Sequence, residues 1–143
     1  MIFLDASVIV AVLAREADSQ QQIERLRNMK ADRISVSPLV RYEATTAMAR
    51  VKAMAAGNQR PTAEIVTQAR QTVDTFLAWL EASDVEITPD IGAAAIEASA
   101  LFGKLVGHPA ALNFGDCFAY ACAKSLGVPL AYKGDDFART DLA

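Results

Sequence analysis

Four short runs of apolar and β-branched residues, spaced by long alanine-rich stretches, constrain the fold of this chain most. They are Ile2-Phe3-Leu4, Arg33-Ile34-Ser35-Val36, Val85-Glu86-Ile87 and Val128-Pro129-Leu130-Ala131-Tyr132. Each is too short for a helix and reads as a strand. The stretches near 7–14, 17–30, 38–56, 62–82, 90–106 and 114–126 carry apolar residues at helical spacing, with breaks at Gly57 to Pro61 and Gly107 to Pro109. Strands that alternate with helices predict an α/β fold in which a parallel sheet is covered on both faces. In the stretch 38–56, Val40, Ala44, Ala47, Met48, Val51 and Met54 share one helical face and predict a core stripe, with Glu43 on its border.

A chain of 143 residues with 52% hydrophobic content fits one domain over 1–143. Asp5 interrupts the N-terminus before any long apolar run, so no signal peptide is expected and the cytoplasm is the expected location. No stretch approaches the roughly 20 apolar residues of a membrane span. Cys117 and Cys122, five residues apart on one predicted helix, project about 140° apart, too divergent to bridge, and read as small buried hydrophobes. A single histidine, His108, and only two cysteines exclude zinc sites built on those residues, so a metal here would be held by oxygen. His108 beside Pro109 reads as an ordinary loop residue.

The net charge of −3 argues against a polyanionic partner, yet the charge is uneven. Residues 1–71 hold ten Lys/Arg against seven Asp/Glu, and residues 72–143 hold four against ten. Arg15, Arg25, Arg27, Lys30, Arg33, Arg41, Arg50 and Lys52 could give the first half a phosphate-contacting surface.

The acids carry the functional reading. Ligands bind beyond the carboxyl ends of the strands in an open parallel sheet. Asp5 follows the first strand, Asp135 and Asp136 follow the last, Asp116 opens a helix and Glu43 lies in the first turns of another. If those helices start at the same end, the acids converge. Crowded carboxylates repel and call for a cation, and hard oxygen donors suit Mg²⁺ or Mn²⁺. Such an ion can activate water for attack on a phosphodiester. Each acid also has a plain alternative. Asp5 or Ser7 could be an N-cap, and Asp116 three residues after Asn113 resembles a capping box. Glu43 could pair with Arg50, and Asp135-Asp136 suits a turn.

The segments Met-Ile-Phe-Leu-Asp-Ala-Ser at the start, Tyr42-Glu43 after Ser37-Pro38, Leu112-Asn113-Phe114-Gly115-Asp116-Cys117 and Lys133-Gly134-Asp135-Asp136-Phe137 resemble the PIN-domain ribonucleases, and within them the VapC toxins of toxin–antitoxin pairs. The resemblance implies a PIN fold, an α/β/α sandwich with four to five parallel strands. It implies a Mg²⁺-dependent endoribonuclease, with Mn²⁺ able to substitute, that cuts structured RNA such as tRNA or rRNA. Asp5 and Asp116 match the metal ligands and Glu43 the acid that completes the site. Asp136 is the choice for the fourth acid, with Asp135 the alternative, because Gly134 stands where many relatives have Asp. Ser7 matches a hydroxyl that supports the site. A VapB-type antitoxin and a homodimer are the implied partners. The stretch 54–72 is longer than in compact relatives and lengthens a helical hairpin.

Two other readings use the same pattern. A phosphorelay receiver would need an Asp at the end of a middle strand, where Ser37-Pro38 and Thr88-Pro89-Asp90 fit poorly; a haloacid-dehalogenase-type phosphatase would need Asp in place of Ser7. A PIN-like module without activity is the remaining alternative, disfavoured by retention of all four acids.

Overall fold

The computed structural model describes residues 1–29 and 33–142. Lys30, which ends the predicted helix 17–30 and belongs to the basic set above, lies outside the described residues, as do Ala31, Asp32 and Ala143. In chain order the elements are β1 (Ile2–Leu4), α1 (Ala6–Leu13), α2 (Ser19–Met29), β2 (Ile34–Val36), α3 (Pro38–Ala55), α4 (Ala63–Trp79), β3 (Ser83–Asp84), α5 (Pro89–Phe102), α6 (Phe114–Leu126) and β4 (Leu130–Ala131). Short 3₁₀ turns follow at Lys104–Val106 and Phe137–Arg139.

The strands form one parallel sheet in the order β3-β2-β1-β4. Phe3 pairs with Ser35 on one side and Leu130 on the other, so β1 is central, and its side chains Phe3 and Leu4 are buried. Among the described residues six α-helices flank the sheet, matching the predicted α/β class. α1 packs against α2, α3 and α4, while α5 packs against α6. Local chemistry fixes where the helices begin. Side-chain oxygens of Asp5, Ser37, Thr62, Thr88 and Asn113 each accept a hydrogen bond from the first turn, and Pro38 and Pro89 occupy first-turn positions whose N–H would have no helical partner. α6 stops at Gly127, whose left-handed φ of 64° suits glycine. Cys117 and Cys122 are free and buried. No helix among the described residues is long and apolar enough to cross a membrane.

Three expectations are corrected. The third strand is Ser83–Asp84, two residues before the predicted Val85–Ile87. Asp84 is held at the sheet edge by a two-point bond from Arg41, at 2.7 and 3.0 Å, and only the N–H of Val85 continues the pairing, to the Val36 carbonyl. The predicted helix 90–106 ends at Phe102, because Gly103 is extended and the chain re-enters as a 3₁₀ turn. On α3 the stripe holds at Val40, Ala44 and Met48 but not at Val51 or Met54, which are 40% and 79% exposed. The C-terminal half of α3 turns Ala49 and Ala53 inward instead, against α4, so the buried face rotates where the packing partner changes.

These burials give a stability test. Leu77, 1% exposed in α4, should cost about 2–5 kcal/mol when replaced by Ala, whereas Met54→Ala should stay within about 0.5 kcal/mol. Urea unfolding of both variants checks this, and a core-sized loss for Met54→Ala would contradict the rotated face.

Candidate active site

β1 is the switch point of the sheet, with β2 on one side and β4 on the other, and ligand clefts form beyond the carboxyl end of such a strand. Asp5 stands there. Its N–H donates to the Ala131 carbonyl at 2.9 Å, fixing it to β4, and its Oδ2 accepts from the Ser7 N–H at 3.0 Å as the cap of α1. Asp116 is the third residue of α6. Its Oδ2 accepts from the Asn113 N–H at 3.0 Å while Asn113 Oδ1 accepts from the Asp116 N–H at 2.9 Å, a reciprocal capping box. Capping thus engages a carboxylate oxygen of each aspartate. The N-cap reading of Asp5 and the capping-box reading of Asp116 are both met.

Glu43 projects from the second turn of α3 and is half-buried. Its Oε1 is buried without a hydrogen-bond partner. No ion pair joins it to Arg50 among the described residues, and its carboxylate lies directly over Gly115, where any Cβ would overlap it. α3 and α6 therefore meet with a carboxylate on one and bare backbone on the other.

The electrostatics join the four acids. Burial is the main cause that pushes Asp5 above its ordinary range, pushes Asp116 up to about 6 and pushes Glu43 up to about 7. Hydrogen bonds from Ser7 and Ala6 oppose the rise at Asp5, and the bond from Asn113 opposes it at Asp116. Mutual repulsion adds to it: Glu43 feels Asp5 and Asp116, and Asp116 feels Asp5 and Asp136. Asp136 is exposed beside the 3₁₀ turn Phe137–Arg139 and also acts on Asp5, whereas Asp135 is not among the charges that act on these groups.

The segment after β4 that carries Asp136 is tied to α1 and α2. The Lys133 N–H donates to Ser7 Oγ at 3.0 Å, Lys133 Nζ pairs with Glu16 and, at 2.7 Å, with Asp18, and Arg25 donates to the Tyr132 carbonyl at 2.9 Å. Ser7 thus binds two sides of the site, and Asp5, rather than Ser7, caps α1. His108 has a structural place: its Nδ1 accepts from the Ala110 N–H and its ring packs edge-on to Phe102.

Among the described residues no three His, Cys, Asp or Glu side chains stand close enough to enclose a metal ion by themselves. The donor set still fits a hard divalent cation. The carboxylates of Asp5 and Asp116 and the unpartnered Oε1 of Glu43 are all oxygen donors, and Mg²⁺ commonly takes one or two carboxylates and fills its octahedron with water.

Gly115 and Lys133 stood inside recognisable sequence segments without a role. A glycine within a helix costs about 0.5–1 kcal/mol against alanine, so Gly115 was itself a signal of close approach. Gly115→Ala should push the Glu43 carboxylate toward water and bring its pKa down from about 7 toward the usual 4.5, read by carboxyl-carbon NMR titration. An unchanged titration would refute the contact.

Comparison with known proteins agrees with the fold. The PIN domain family matches residues 2–142. A VapC ribonuclease of Rhizobium meliloti is 46% identical over 142 residues, covering 99% of both chains. Ribonuclease VapC42 of Mycobacterium tuberculosis is 33% identical over 99% of this chain and 96% of its own. The crystal structure of Mycobacterium tuberculosis VapC20, a Sarcin-Ricin loop cleaving toxin, superposes with a TM-score of 0.69 over 96% of this chain and 93% of that one, at 20% identity, which speaks to the fold. This chain belongs to the PIN-domain family and, within it, to the VapC ribonucleases.

Proposed function

We propose that the protein is a Mg²⁺-dependent endoribonuclease of a toxin–antitoxin pair that hydrolyses phosphodiester bonds in structured RNA, with tRNA or rRNA as the substrate class. The observation that carries the reading is the convergence of Asp5, Glu43 and Asp116 at the carboxyl end of β1, with Glu43 Oε1 buried and unpartnered. Asp5 and Asp116 would hold the ion through their carboxylates, and Mn²⁺ could replace Mg²⁺ because both are hard cations. The bound ion supplies polarisation of the phosphoryl oxygen and a lowered pKa for water.

The chain's own residues supply the rest. Glu43, wedged on Gly115, orients the attacking water and accepts its proton. Asp136 stands at the rim, where it adds negative potential for the ion. Ser7 keeps the Asp5 carboxylate and the segment after β4 in register through its N–H and Oγ. The names of the relatives support RNA as substrate and a cognate VapB-type antitoxin as partner. For a homodimer the supporting feature is a broad apolar groove along α5, the 3₁₀ turn and α6, where Ile96, Leu105 and Phe114 are 74%, 87% and 71% exposed.

Two outcomes test this. Asp116→Asn keeps an acceptor for the Asn113 N–H, so the fold should survive while Mg²⁺-dependent cleavage falls by at least about 100-fold; near-normal cleavage would refute the site. The second outcome concerns pH. Because Glu43 and Asp116 hold protons more tightly when folded, metal-free stability should decline as pH rises from the unfolded carboxylate range to about 7. Above that range the full repulsion is present, so Mg²⁺ should raise Tm clearly at pH 8 and little at pH 5 in a thermal melt. An equal effect at both values would contradict the shared ion.

A further inference from the structure

A cavity of about 610 Å³ adjoins the acids, lined among others by Ser7, Glu43, Thr46, Arg50, Lys133 and Gly134. An RNA strand that brings a phosphodiester to Asp5 and Asp116 must place its neighbouring phosphates beside four carboxylates, and that approach is repulsive unless the wall supplies positive charge. Two cations line the cavity. Lys133 is already neutralised by Glu16 and Asp18. Arg50 is exposed and makes no ion pair or hydrogen bond among the described residues.

The other described members of the basic set separate in the same way. Arg41 is engaged by Asp74 and Asp84, and Arg25 is spent on the Tyr132 carbonyl. None of Arg15, Arg27, Arg33 or Lys52 lines this cavity. Arg50 follows Glu43 by seven residues on α3, which brings it to the same helix face about 10 Å further along the axis. A guanidinium presents a planar fork of donors that matches phosphate oxygens, and an unpaired one leaves no existing partner when it binds.

We propose that Arg50 binds a phosphate of the RNA strand that flanks the cleaved bond, a substrate-binding contact that rests on the ribonuclease reading above. It sets where the strand enters the acid cluster, without reading base identity.

The test is binding of a fluorescent single-stranded RNA of mixed sequence to the full chain carrying Asp116→Asn, so that the RNA stays intact, over a series of salt concentrations. Adding Arg50→Ala should weaken binding several-fold for every sequence and make the slope of log affinity against log salt shallower by about 0.7. Arg50→Lys should restore most of the slope. Arg27→Ala, which removes the same charge from an exposed position on α2, sets the baseline. Equal affinity and slope for the Arg50→Ala and Arg27→Ala proteins, or no RNA binding at all, would overturn the assignment. Cleavage by the otherwise native chain is measured alongside. If RNA binds through Arg50 but is never cut, the hydrolytic reading fails while the contact stands; if RNA is cut and Arg50→Ala changes nothing, the reverse holds.

Discussion

Repulsion among Asp5, Glu43, Asp116 and Asp136 at the end of the central strand is the constraint on which the rest of the structure depends. A chain gathers such charges only if the fold holds each one in place against the others, and here it does so with ordinary secondary-structure chemistry. Asp5 caps α1 and Asp116 makes half of the capping box of α6, so each would lose a helix-start hydrogen bond by swinging away. Both sit near the positive ends of helix dipoles, which offsets part of the cost. Glu43 has no such bond, and what holds it is space: its carboxylate fills the place over Gly115 that a side chain would otherwise take.

The rim is arranged to the same end. Lys133 offsets part of the charge of Glu16 and Asp18, which would otherwise deepen the negative potential further, and in doing so fastens the segment that carries Asp136. Arg41 does likewise for Asp74 and Asp84 at the sheet edge. Of the two cations that line the cavity beside the acids, Lys133 is committed to a local pair and Arg50 is left facing it.

Much of this was legible in the sequence because it rests on local rules. Asp-Ala-Ser after an apolar run, Ser-Pro before an amphipathic stretch and Asn-x-x-Asp before an alanine-rich one state both the helix starts and the placement of the acids. What escaped was set by tertiary partners. Val85–Ile87 has better strand composition than Ser83–Asp84, but Arg41 decides where the edge pairs. The stripe through Val51 and Met54 is a sound helical pattern, yet α4 claims the neighbouring face. Gly115 and Lys133 were visible as letters only; their meaning lies in residues 72 and 117 positions away.

The most direct measurement is the anomalous difference map of a crystal grown with Mn²⁺. The account predicts a peak within bonding distance of the Asp5 and Asp116 carboxylates. A peak elsewhere, or acids that remain apart with no peak between them at saturating Mn²⁺, would contradict it.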